Sequence, residues 1–210
     1  VGGKNTQHDL IYDTSLAKSY VRQTETLTPG LSYKKGGTQG LSNMLYIDRG
    51  GHFVMLSTGS DNVNIHDVYY QRYNTGNARD VWDFMGNRNV YAVNIFAASC
   101  SDDIIKLGSD CSLGFSRPVA NYKVRNIIGD TNCNNEQIGS ETADDTLHVD
   151  VDNLVVLGAN KAGFSISTND GALVQDVNLN EGKTGDVYVD SGYFQRTRTP
   201  IFISISHRGR

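Results

Sequence analysis

Proline is scarce in this chain, at three of 210 residues, as are cysteine, at three, and tryptophan, at one. So few cysteines exclude a disulfide framework, and the spacing of Cys100, Cys111 and Cys133 matches no zinc site. Cys100 and Cys111 could pair across one turn of the chain and leave Cys133 free; a buried apolar thiol describes each equally well. Basic runs are missing too. The net charge is −4, without a Lys/Arg cluster, which speaks against a nucleic-acid partner. No segment has the apolar length to cross a membrane, and no signal peptide is visible. Helical periodicity with capping residues is absent from every dozen-residue window, so helices are not expected. No pattern calls for a metal or a cofactor.

What the chain does have is repetition. Short segments of alternating apolar residues recur between Gly, Asn and Asp. One class comprises 61–68, 88–95, 120–127, 147–154 and 171–177, several of them opening on an Asn-Val step. A second class lies between them, at 81–84, 103–107, 137–140, 163–167 and 186–189. Equivalent points are about 22–33 residues apart, within the range of solenoid repeats. A sandwich or barrel would need tight hairpin turns, which are rare here, and would not explain the fixed alternation of two strand classes. The expected fold is therefore all-β, a right-handed parallel β-helix. Asn at its bends would tolerate the left-handed conformation and form ladders.

The first 50 residues read differently, as a loop-rich segment with single strands at Leu10-Ile11-Tyr12 and Met44–Ile47; residues 51–210 form the coils. At 38% hydrophobic content the chain can bury a core as one domain. It starts at Val1, and neither end reads like a solenoid cap, so it is expected to be a processed product or part of a longer solenoid.

Chemistry concentrates at Asp102-Asp103, adjacent carboxylates that open the apolar run Ile104–Leu107. Paired Asp residues often only solvate or cap a turn. This pair has company on the preceding coil, Asp80 and Asp83. From about 61 to 206 the residues resemble the polygalacturonase-like enzymes, glycoside hydrolase family 28. The family's Asn-Thr-Asp-Gly-x-Asp reads here Ala78-Arg79-Asp80-Val81-Trp82-Asp83, and its Asp-Asp strand reads Asp102-Asp103-Ile104-Ile105. Ile138-Gly139-Ser140-Glu141 matches the end of the third motif, Gly163–Ser167 falls on the Arg-Ile-Lys motif, and Thr199-Pro200-Ile201 fits a later turn. The third motif's His falls on Asn134, and the Arg and Lys of the fourth fall on Ser165 and Ser167. The dextranase and isopullulanase group, which lacks that Arg-Lys pair, is similar to Asp102–Lys106 and to Gln137-Ile138-Gly139.

The resemblance implies a secreted inverting hydrolase with a polysaccharide substrate. Asp103 would be the acid, Asp80 and Asp102 would hold the water, and Asp83, Lys106, Asn134, Gln137, Ser165 and Ser167 would meet the glycan. Inversion needs a protonated carboxyl on one side of the bond and an ionised one on the other. Clustered carboxylates raise one another's pKa, which serves the first. The three Asp should converge on one exposed groove. With Ser at 165 and 167 a polyuronate should be repelled, unless Lys106 or Lys161 faces the groove, and a neutral glycan preferred. Tyr69, Tyr70, Tyr73 and Trp82 could stack on sugars or merely pack between coils. His66, His148 and His207 stand alone, and Asp144-Asp145 reads as a plain turn. The competing function is a non-catalytic β-helix, a carbohydrate-binding, spike or adhesin segment. A lyase would need a calcium cluster under an Arg or Lys base, and none is legible.

Overall fold

The computed structural model describes residues 45–47, 53–71, 80–109, 116–179, 193–194 and 196–207. Among them there are strands and turns but no helix, hence none long and apolar enough to cross a membrane. In chain order the strands are β1 (Leu45–Ile47), β2 (Phe53–Thr58), β3 (Asp61–Gln71), β4 (Asp80–Met85), β5 (Arg88–Cys100) and β6 (Ile105–Ser109). They continue as β7 (Val119–Thr131), β8 (Glu136–Thr142), β9 (Thr146–Thr168), β10 (Val174–Leu179), β11 (Tyr193–Phe194) and β12 (Thr197–Ile205). Pairing is parallel throughout. β3, β5, β7, the start of β9 and then β10 stack on one side. On the other, β2, β4, β6, β8, the end of β9 and then β12 do the same. The chain winds as a parallel β-helix, and β9, 23 residues long, runs through a corner and joins both stacks.

The corners follow from the Asn residues. Asn62, Asn89, Asn121, His148 and Asp176 form one left-handed column, with φ between 55° and 60°. Asp67, Asn94, Asn126 and Asn153 form another, at 53° to 57°. Side-chain amides run up both: Asn89 Nδ2 donates to Asn62 Oδ1 at 3.1 Å, and Asn126 Nδ2 donates to Asn94 Oδ1 at 2.9 Å. Asn and Asp tolerate this backbone because a short polar side chain can bond locally. The bends therefore recur at the same height on each coil. Two exposed histidines belong to these corners, His66 against Asp67 at 2.9 Å and His148 against Asp176 at 3.1 Å.

Inside, like stacks on like. Ile65, Ala92, Val124 and Val151 make one register column, Val68, Ile95, Ile127 and Leu154 a second, and Phe84, Leu107, Ile138 and Ile166 a third. Steps of about 4.8 Å bring each side chain into contact with its equivalent above and below. Burial of each large one contributes about 1.5–3 kcal/mol. Tyr70 and Trp82 lie in this core, so the sugar-stacking expectation for them is corrected: their strand positions point inward. Tyr69 stacks on Phe96 of the next coil at 4.8 Å. Tyr73 lies outside the described residues.

Several details differ from the sequence reading. β10 begins at Val174 rather than Gly171, which turns at a φ of 93°. Of the two readings of Cys100 the buried free thiol holds, as it does for Cys133, and Cys111 lies outside the described residues. So do Leu10-Ile11-Tyr12 and the strand expected at 186–189. Glu136 is fully buried in the column between Ile105 and Phe164, and neither carboxyl oxygen has a hydrogen-bond partner. Burial holds its pKa well above the usual range.

Candidate functional site

Strand register brings the acids together. Val81 N–H donates to Asp103 O at 2.9 Å, and Ile104 N–H to Asn134 O at 3.1 Å. Asp80, Asp103 and Asn134 therefore lie one above another, each just before its strand turns inward. A second outward column contains Asp83, Lys106, Gln137, Ser165 and Phe202. The four segments expected to share one sheet, Val81–Phe84, Ile104–Leu107, Gln137–Ser140 and Phe164–Ser167, do share it.

The backbone N–H of Asp103 is offered to two carboxylates, Asp80 Oδ1 at 3.2 Å and Asp102 Oδ1 at 3.0 Å. Two of the three expected acids thus meet on the backbone nitrogen of the third. They do not lie open to solvent as anticipated. Asp80 is 7% exposed and Asp103 4%, because the flanking coils pack over the column; only Asp102 is half-buried. Asp83 is buried as well, and it shares a hydrogen bond with Asp80.

Crowding three carboxyls out of water favours protonation. Burial pushes Asp80 up to about 7, with Asp103 and Asp102 adding to the rise and Lys106 opposing it. Asp83 is held well above the ordinary range by burial and then by Asp80. Asp103 is raised by burial and by Asp102, against hydrogen bonds from Cys133 and Asn134. Lys106 is the counterweight. Its ammonium lies 3.7 Å from Asp80 Oδ2 and 3.1 Å from Glu141 Oε2. The surrounding carboxylates, Asp83 foremost, outweigh its burial and raise its pKa.

The hydrogen-bond geometry indicates where one proton sits. Ala162 N–H donates to Asn134 Oδ1 at 3.1 Å, which fixes the orientation of that amide. Asn134 Nδ2 then donates to Asp103 Oδ1 at 2.8 Å and to Gln137 Oε1 at 2.7 Å. With its oxygen so engaged, Gln137 presents the same oxygen closely to Asp103 Oδ2. Turning the Gln137 amide over would supply a donor to Asp103 but set nitrogen against the Asn134 donor. A proton on Asp103 Oδ2, donated to Gln137 Oε1, satisfies every group at once. Asn134 and Gln137, expected to meet substrate, are thus first partners of the acid itself.

Beyond the acids toward the C-terminal coils lies a groove of about 630 Å³. Gln137, Ser165 and Ser167 line it, together with Ser140, Asn169, Ser204 and Phe202, and Lys161 stands at its acidic end. Ser165 and Ser167 hydroxyls are 3.3 Å apart, and Ser204 reaches Ser167 at 3.4 Å. Gly139 is required beneath it, since its φ is +101° and a Cβ there would run into Ser167 O. Lys161 bonds the Cys133 thiol and is drawn further by Asp103 and Asp102, which raises its pKa.

Among the described residues one set, Asp102, Asp103 and Cys133, brings possible metal-ligand atoms within 4.8 Å of one another. Asn134 already donates twice to Asp103 Oδ1, and the Lys161 ammonium faces the same acids. The set fits hydrogen bonding better than a cation.

Sequence reading gave no role to Glu141, Cys133 or Thr131, whose hydroxyl donates to Asp102 O. Glu141 stands at the end of a quoted motif, and charge next to the acid column was the signal that could have found it. Asp144-Asp145 is the turn expected, braced by Ser109 Oγ and by Leu173 N–H.

Comparison with family models, with curated proteins and with solved structures returns no match. The link to polygalacturonase-like enzymes therefore rests on the quoted motifs, and the fold on the strand pairing.

Proposed function

We propose that the protein is an inverting glycoside hydrolase acting on a neutral or unusually linked polysaccharide. The observation that carries the reading is the shared Asp103 N–H, which gathers Asp80 and Asp102 around a third carboxyl. Asp103 serves as the acid. Without substrate its proton stays on Oδ2 and is donated in a hydrogen bond to Gln137 Oε1; a glycosidic oxygen takes the place of that amide and receives the proton as the C–O bond breaks. Asp80, ionised above a pH of about 7 with Lys106 beside it, accepts a proton from the water that attacks the anomeric carbon, with Asp102 orienting that water. Asp83 shares its hydrogen bond with Asp80 and serves to position it. Lys106 is committed to its acids, and Lys161 alone cannot neutralise a polyuronate, whose every sugar carries a charge.

The test is release of reducing ends from dextran, xylan, glucans and polygalacturonate, comparing wild type with Asp103→Asn. Release from a neutral glycan that falls by about 10²-fold or more in the variant supports the reading. Activity should rise with pH through about 7 as Asp80 ionises. No release from any glycan, or equal release by the variant, refutes the assignment. Robust cleavage of polygalacturonate refutes the neutral substrate. The second reading, a carbohydrate-binding β-helix without catalysis, draws on the 4% exposure of Asp103. It predicts binding of the same glycans without turnover.

A further inference from the structure

The groove beyond the acids holds a feature that the hydrolysis chemistry does not use. Phe202 lies in register with Ser165, which pairs with Gln137, so all three project outward in the column that also contains Lys106. Phe202 is 45% exposed, and Ile201 and Ile203 on either side of it are more exposed still, β12 being the last described strand of its stack. Two coil steps, about 10 Å, separate it from Gln137 along the helix axis. Between them the floor is made of short hydroxyls and amides: Ser165 and Ser167 in mutual contact, Ser204 against Ser167, and Asn169 beside them, accepting from Ser206 Oγ at 2.6 Å.

Charge is nearly absent from this wall. Among the described lining residues Lys161 is the one ionic side chain, and it is engaged with Cys133 and the acids. A ligand lying here meets neutral donors and acceptors along its length and one aromatic face at the far end. That combination suits a pyranose, which offers equatorial hydroxyls at its rim and a C–H face for stacking. It does not suit a polyanion, which would find one cation already occupied.

We propose that this groove is a subsite for neutral sugar residues, with Phe202 the stacking platform that sets the glycan's direction toward the C-terminal coils. The inference rests on the hydrolase reading for its choice of a carbohydrate ligand. The platform adds contact area to a site whose other contacts exchange water for similar hydroxyls, so Phe202 dominates affinity.

The experiment measures binding rather than turnover. Asp103→Asn protein is titrated calorimetrically with isomalto-, xylo- and cello-oligosaccharides and with oligogalacturonate, alone and combined with Phe202→Ala, Phe202→Trp or Lys161→Ala. At least one neutral series should bind, weakened about tenfold by Phe202→Ala and restored by Phe202→Trp, while Lys161→Ala changes it little. Unaltered binding in Phe202→Ala overturns the inference. So does preference for oligogalacturonate that Lys161→Ala abolishes, and so does failure of every neutral series to bind. Unchanged thermal melts of the Phe202 variants exclude misfolding as the cause. Phe202-dependent binding without hydrolysis by wild type sinks the hydrolase and spares the subsite; hydrolysis indifferent to Phe202 does the reverse.

Discussion

Lys106→Met isolates the electrostatic centre of the site. Methionine keeps much of the apolar stem, so the change is chiefly one of charge. Two carboxylates lie within 3.7 Å of the ammonium, Asp80 and Glu141. At an effective dielectric constant of about 20, each contact has a gross attraction of about 4–5 kcal/mol. That figure bounds how far Asp80 can rise without its cation; it is not the stability loss. In wild type, native Asp80 titrates at about 7. Below that pH it is protonated in the native state of both proteins, and the variant loses only the contact with Glu141. Above it, wild type ionises while the variant must stay protonated or bear an unpaired buried charge. Each pH unit above 7 therefore adds up to about 1.4 kcal/mol to the difference. At pH 8.5 Asp80 alone contributes about 2 kcal/mol more destabilisation than at pH 5.5. Trp82, the single tryptophan and fully buried on the same strand as Asp80, reports unfolding in urea by its fluorescence. A loss of equal size at both pH values would show that Lys106 does not hold Asp80 ionised, and the proposed base would fall with it.

Three further outcomes are expected. Wild type should lose urea resistance between pH 5 and pH 8, because Asp80, Asp83, Asp103 and Glu136 all have raised native pKa values. Such groups stabilise fully below their unfolded values and lose that contribution as pH climbs through the native ones; a rising midpoint would contradict their protonation. Glu136→Gln removes one of these groups, so its stability relative to wild type should improve from pH 5 to pH 8, and a flat difference would mean that native Glu136 is charged. Asn94, at a φ of 56° and bonded to both Asp67 and Asn126, should lose about 2 kcal/mol on change to Ala and roughly half that on change to Gly, which keeps the bend. Equal urea midpoints for the two variants would show that the left-handed backbone costs nothing there.

The sequence by itself determined the fold and most of the site's addresses. Alternating apolar residues between recurrent Asn bends permit little else than stacked parallel coils, since each Asn can both take the left-handed corner and bond its equivalent. The order of the acid segments then places Asp80, Asp102 and Asp103 on neighbouring coils. What the tertiary structure decided is which way the side chains face at the corner before each strand. There strict alternation fails: Val81 and Trp82, Ile104 and Ile105, and Asn135 and Glu136 are consecutive pairs that are all fully buried. One extra inward residue on each coil reverses parity, so counting from Asp102 could not say that Lys106 joins the acids. The same reversal puts Glu136 inside an apolar column, although nothing in its own surroundings in the chain marks it as buried. Depth of burial was also illegible, because the exposure of Asp80 and Asp103 depends on coils packed above and below, at contacts 23 to 31 residues away along the chain. Local pattern fixes what a residue can do, and the stack of coils fixes the solvent, charge and proton it does it with.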